Sequence, residues 1–184
     1  SWQHYNNEDY NPVCLYAATK QAFESLIEYY VQAENFKVIT LKLFDTYGET
    51  DKRPKLINLL NQFAKEQSEL KLSLGEQMIN LVYINDVCNA YEVAMNMMEN
   101  QKSNSHYKFV IKHSQSYTLK EVINTFEKVS QLKVNIVWGG KPYRNREVMQ
   151  LWDKGDDLPN WKAKVSLEEG FLKVLNKFSL NFND

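Results

Sequence analysis

The sequence predicts an α/β fold, and three observations carry that prediction. Strand-like and helix-like segments alternate along most of the chain. The 184 residues are 43 % hydrophobic and 24 % charged, an ordinary globular balance. No internal repeat, linker or low-complexity stretch interrupts them. The length suits one well-cored domain, or a larger domain missing a part.

The elements follow in order. Residues 1–10 are polar and aromatic without a clean period and read as a loop. From Pro12 to about Ala33 the apolar residues Leu15, Ala18, Ala22, Leu26, Tyr29 and Tyr30 recur at helical steps. Lys37–Phe44 is β-branched and apolar and predicts a buried strand. Asp45–Pro54 holds Gly, Asp and Pro and predicts a loop. An amphipathic helix is expected at about Lys55–Glu66. Two short strands, Leu70–Leu74 and Leu81–Ile84, flank a turn at Gly75-Glu76. Asp86 is expected to cap a helix running to about Met98. Tyr107–Ile111 predicts a strand. Thr118, with Glu121 three residues on, predicts a capping box opening the next helix. A strand at Lys133–Trp138 and a loop at Gly139–Arg146 follow. Ser166 and Glu169, at the same spacing, open the last helix.

Composition excludes several function classes. A net charge of −1 gives no field to gather nucleic acid or an anionic membrane surface. No apolar run approaches the roughly 18 residues of a membrane span, and no signal peptide is legible. The two cysteines, Cys14 and Cys88, exclude a disulfide framework and suit a reducing cytoplasm. They fall on predicted helices and read as packed thiols. His4, His106 and His113 are not spaced as metal ligands, so no metal is expected. The chain opens on Ser1 with all five methionines internal, which reads as a processed product or a fragment.

The first motif with chemistry is Tyr16-Ala-Ala-Thr-Lys20. Residues four apart share a helix face, so phenol and ammonium lie side by side. A phenol titrates near about 10, so a base working at neutrality needs a drop of about 3 units, or about 4 kcal/mol. A cation roughly 5 Å away at an effective dielectric near 20 supplies about 3 kcal/mol. The spacing is sufficient for most of the shift. It is not specific: with 11 tyrosines, about one such pair arises by chance, and a solvated surface pair has the same spacing.

Longer strings are more specific. PVCLYAATKQAFESLI resembles the active-site helix of extended short-chain dehydrogenase/reductases, the NAD-dependent epimerase/dehydratase family of nucleotide-sugar enzymes. Pro12, Tyr16, Lys20 and Glu24 fall in register with that pattern. VITLKLFDTYGETD resembles the family's strand and loop, and LGEQMINLVYINDVCNAYEVAM is similar to its next segment. YTLKEVINTFEKVSQLKVNI and LPNWKAKVSLEEGFLKVL resemble later segments, in the same order. None of Gly48, Gly75, Gly139, Gly140, Gly155 and Gly170 forms the family's Gly-x-x-Gly-x-x-Gly pyrophosphate loop. The resemblance therefore implies a C-terminal portion only, residues 1–184 as a single fragment. It would hold the last Rossmann strands and helices plus the smaller substrate-binding lobe, with the N-terminal dinucleotide-binding half absent.

The resemblance also implies roles. Tyr16 would move a proton at the sugar hydroxyl; Lys20 would lower its pKa and bind the nicotinamide ribose of NAD or NADP. Ser1 lies near the family's catalytic Ser/Thr position. The Phe44 backbone would pass the cofactor. Asp45 stands where an Asn usually meets substrate, and Ile79 replaces a basic residue, while Gln77 is retained. Arg144 matches an arginine that grips the substrate diphosphate, a task suited to a forked donor. Lys52, Arg53 or Lys55 could meet phosphate, although a solvated charge run has the same look. The implied activity is NAD(P)-dependent epimerisation, dehydration or 4-keto reduction of a nucleoside-diphosphate sugar. The departures at Asp45 and Ile79 favour a reductase branch resembling the CDP-abequose synthases. The family resemblance further implies a homodimer through a helix bundle that includes the Tyr16 helix. A non-catalytic protein binding a nucleotide or a partner on the same scaffold stays open as the alternative. Tyr47 and Tyr83 are expected to pack, and Trp138 and Trp161 to close the C-terminal core.

Overall fold

The computed structural model describes residues 11–180, in the order α1 (Leu15–Glu34), β1 (Lys37–Leu43), β2 (Asp45–Tyr47), α2 (Leu56–Glu66), β3 (Glu69–Lys71), β4 (Met78–Ile79), β5 (Leu81–Tyr83), α3 (Ile84–Glu99), β6 (Ser105–Ile111), β7 (Tyr117–Thr118), α4 (Leu119–Ser130), β8 (Asn135–Val137) and α5 (Leu167–Leu180). The predicted α/β class holds. β1 runs parallel to β6, in register from Lys37 opposite Ser105 to Leu43 opposite Ile111. Alternation along β1 sends Ile39, Leu41 and Leu43 into a core with Val87, Ala90 and Ala94 of α3. Thr40 and Lys42, on the other parity, meet His106 on β6 and Glu24 on α1. The two helices thus cover opposite faces of the strand pair.

Three short pairs complete the sheets: β2 with β5 and β3 with β8 in parallel, and β4 with β7 antiparallel. A second core gathers Leu60, Phe126, Phe171 and Val174 from α2, α4 and α5 around Tyr47 and Tyr83. Tyr47 lies edge-on to both Tyr83 and Phe171, so the two tyrosines pack as expected.

Several local expectations need correction. Asp45–Pro54 is not all loop: Asp45–Tyr47 forms β2, because β5 offers it a parallel partner. The strand expected at Leu70–Leu74 is shorter and shifted, Glu69–Lys71, and pairs with β8, while β5 pairs with β2. Asp86 does not cap α3. Tyr83 is the N-cap and makes no side-chain capping bond. Asp86 is buried in the first turn, where its carboxylate accepts the backbone N–H groups of Lys164 and Val165, both at 2.9 Å. Trp161 Nε1 donates to the Asp86 carbonyl at 3.1 Å, which pins the residue to the C-terminal segment. Trp138 is more than a third exposed and lies over Gly75 instead of in the core. Cys14 and Cys88 are both exposed, not packed. The capping box at Thr118 and Glu121 is present as predicted.

Candidate active site

β1 ends where the chain changes partners. The Phe44 N–H donates to Ile111 O at 3.1 Å, continuing the ladder with β6. One residue later the Asp45 N–H donates to Asn80 O at 3.2 Å, opening the pair with β5. Diverging carboxyl ends of parallel strands leave a crevice, the usual place for a ligand in such sheets. Asn80 was not singled out from sequence. It is almost fully buried, and its side-chain amide donates to His113 O (2.8 Å) and Ser116 Oγ (3.0 Å) while its oxygen accepts His113 N–H (2.8 Å). This fixes the strand that faces Asp45.

α1 brings the predicted pair together. Tyr16 and Lys20 share a face, with the Lys20 ammonium 5.4 Å from the Tyr16 ring centroid. Tyr16 is 55 % exposed, so its side chain is open to solvent. Arg53 also faces it: the Tyr16 phenol adds to the pull that raises the Arg53 pKa, behind the dominant contact with Asp51. Arg53 grips Asp51 through Nε and Nη2, both at 2.7 Å, and this hold drives the Asp51 carboxyl far below the usual range.

Asp45 keeps contact with solvent, yet surrounding protein desolvates its carboxyl and raises its pKa; Lys55 and Arg144 pull the other way. Arg144, nearly a hundred residues away in sequence, thus lies within the electrostatic reach of Asp45. Lys55 reaches Asp51 at 3.3 Å and donates to Thr46 O at 3.3 Å, so Arg53 and Lys55 form an ordered network around Asp51. Arg144 lies on an exposed loop closed by the Glu147 N–H to Arg144 O bond at 3.1 Å. Gln77 accepts from Ser73 Oγ at 3.2 Å, and its carbonyl takes the Leu119 N–H at 3.1 Å. No hydrogen bond or ion pair joins it to Tyr16, Lys20, Asp45 or Arg144. Ser1 and His4 lie outside the described residues. Among those described, no group of three or more His, Cys, Asp or Glu side chains is placed to hold a metal, and no helix is long and apolar enough to cross a membrane.

The glycines test the fit of a dinucleotide. A Cβ at Gly48, Gly75, Gly155 or Gly170 would strike Ile84, Trp138, Trp152 or Tyr47. Among the described residues, these four glycines accommodate the protein's own side chains. The roles expected of Tyr16, Lys20 and the Phe44 backbone concern the nicotinamide-ribose end alone.

Residues 3–109, more than half of the chain, match the family described as "NAD dependent epimerase/dehydratase family". The chain belongs to this family. Among curated relatives it is similar to the CDP-abequose synthase of Yersinia pseudotuberculosis, 31 % identical over 162 residues, covering 88 % of this chain and 55 % of that protein. It is also similar to the CDP-abequose synthase of Salmonella muenchen, 28 % identical over 164 residues with the same coverage. The chain therefore spans about half the length of the curated relatives it matches. Among solved structures it superposes on UDP-glucuronic acid 4-epimerase from Bacillus cereus in complex with UDP-glucuronic acid and NAD, with TM-score 0.81 and 20 % identity, covering 98 % of this chain and 57 % of that one. A second is RMD from Pseudomonas aeruginosa complexed with NADPH, with TM-score 0.71 and 19 % identity, covering 90 % and 56 %. These likenesses carry the fold, that of extended short-chain dehydrogenase/reductases.

Proposed function

We propose that the full-length polypeptide containing this chain is an NAD(P)-dependent enzyme acting on a nucleoside-diphosphate sugar, with Tyr16 as its proton-transfer residue. One observation supports this most: an accessible phenol and an ammonium share one face of α1. Tyr16 takes a proton from the sugar hydroxyl, or returns one to it, while Lys20 stabilises the phenolate. Lys20 and the Phe44 backbone hold the nicotinamide ribose; when bound, the dinucleotide supplies hydride acceptance and donation at the sugar carbon. Arg144 meets the substrate diphosphate and Asp45 the sugar, with Gln77 on the nucleotide side. Ser1 is the candidate for the family's catalytic Ser/Thr.

The relatives favour the 4-keto reductase branch over epimerisation or dehydration, since CDP-abequose synthases are among the curated proteins most similar to this chain. Exposed Phe23, Leu26 and Tyr30 on α1 support the homodimer through that helix. Two free cysteines suit the cytoplasm.

The test is turnover of nucleotide-sugar with NAD(P)H by the full-length polypeptide. Tyr16→Phe is expected to lower kcat at least a hundredfold, roughly the worth of a positioned acid–base group. Normal turnover in that variant defeats the assignment.

A further inference from the structure

Glu24 lies four residues beyond Lys20 on α1, so helix geometry puts its carboxylate within reach of the Lys20 ammonium. An ion pair there would draw the cation away from the phenol one turn in the other direction. Glu24 turns elsewhere: its Oε2 is 2.9 Å from Lys42 Nζ and 4.0 Å from Lys108 Nζ. Lys20 meanwhile stands over Tyr16.

Lys42 is an unusual residue to find there. It is only 8 % exposed, on the α1-facing side of β1. Burial pushes its pKa down, with a further push from Lys108, and Glu24 pulls it back up. The neighbouring carboxylate has its own partners: Glu28 meets Lys108 at 2.7 Å and His106 Nδ1 at 2.9 Å, while His106 Nε2 bonds Thr40 Oγ1 at 2.7 Å. Glu24 and Glu28 of α1 are thus matched to bases on the strands. Buried ion pairs seldom stabilise a fold more than apolar residues of the same shape, so a role in specificity suits this one better.

We propose that Lys42 is a positioning residue for the Tyr16–Lys20 pair: by holding Glu24 it keeps the Lys20 ammonium at the phenol. The inference rests on the reading of Tyr16 and Lys20 as the reacting pair, but its test does not need activity. With tyrosine isotope-labelled at Cζ, the Tyr16 phenol, identified by its loss in Tyr16→Phe, is titrated by NMR in the full chain. Lys20→Met is expected to raise its midpoint by about one pH unit, a tenfold change in ionisation, because an adjacent cation is lost. Lys42→Met is expected to raise it comparably, and Lys20→Met added to Lys42→Met to move it little further. Lys42→Arg should keep the original midpoint. Glu24→Gln in the Lys42→Met background should restore the full effect of Lys20→Met. Arg53, the other cation facing the phenol, is common to all these variants. Shifts from Lys20→Met and Lys42→Met that simply add overturn the proposal, as does an unmoved midpoint in folded Lys42→Met. If Lys42→Met fails to fold by circular dichroism, Lys42→Gln is read in the same way. Non-additive shifts in a protein whose Tyr16→Phe variant keeps full turnover would sink the catalytic reading and leave the role of Lys42 standing. Additive shifts with Tyr16→Phe inactive do the reverse.

Discussion

Asp45 has a raised pKa in the fold because the protein around it desolvates the carboxylate more than Lys55 and Arg144 compensate. The sign of the consequence follows from linkage. Below the unfolded value of about 3.9 the carboxyl is protonated in both states and costs nothing. As pH rises through the carboxylate range the unfolded chain ionises first, and folding stability falls until the native carboxyl has ionised too. Asp45→Asn is therefore expected to raise Tm at pH 7 and to leave it unchanged near pH 3, read by thermal melts at both values. A lower Tm at pH 7 would show that Lys55 and Arg144 outweigh the desolvation. The identity of this residue was plain in the sequence, as was its difference from the family's usual Asn. Its charged surroundings were not, because Arg144 arrives from a loop about a hundred residues later. Asn80 escaped notice for the same reason: its partners, His113 and Ser116, belong to a segment that only folding brings alongside.

Among the elements, α4 was the most legible, since its signals are local. Thr118 Oγ1 accepts the Glu121 N–H at 3.2 Å, and the Glu121 carboxylate accepts the Thr118 N–H at 2.7 Å. Thr118→Ala is expected to cost about 1 kcal/mol, seen as a fall in Tm of roughly 2–4 °C for a chain of this size; an unchanged Tm would mean the box contributes nothing. Helix ends were less legible. α2 and α4 stop at Gln67 and Gln131, both at positive φ where glycine is the usual choice. Each glutamine amide donates back to a freed carbonyl, Ala64 O at 3.2 Å and Lys128 O at 2.6 Å, which offsets the strained backbone. β2, β4 and β7 are two or three residues long, too short for any periodicity, and exist because a partner strand lies alongside.

At the scale of the whole molecule, the six glycines predict how the chain treats a dinucleotide. Four of them sit against the protein's own side chains, where a Cβ would collide. Calorimetry on the 184-residue chain is expected to show no NAD binding, and a micromolar Kd would overturn this account of the glycines. By itself the sequence determined the α/β class, the family, the order of the major elements and the pairing of Tyr16 with Lys20. The family rests on the resemblance of strings spread along the chain, and the rest on composition, periodicity or spacing within one helix. Tertiary structure alone decided that Asp86 clamps the C-terminal segment instead of capping α3 and that Glu24 answers to Lys42. It also decided that Arg144 lies within the electrostatic reach of Asp45. Each of those is a contact between elements distant in the chain, and its energy depends on burial and on the charge of neighbours, quantities that no local stretch of residues carries.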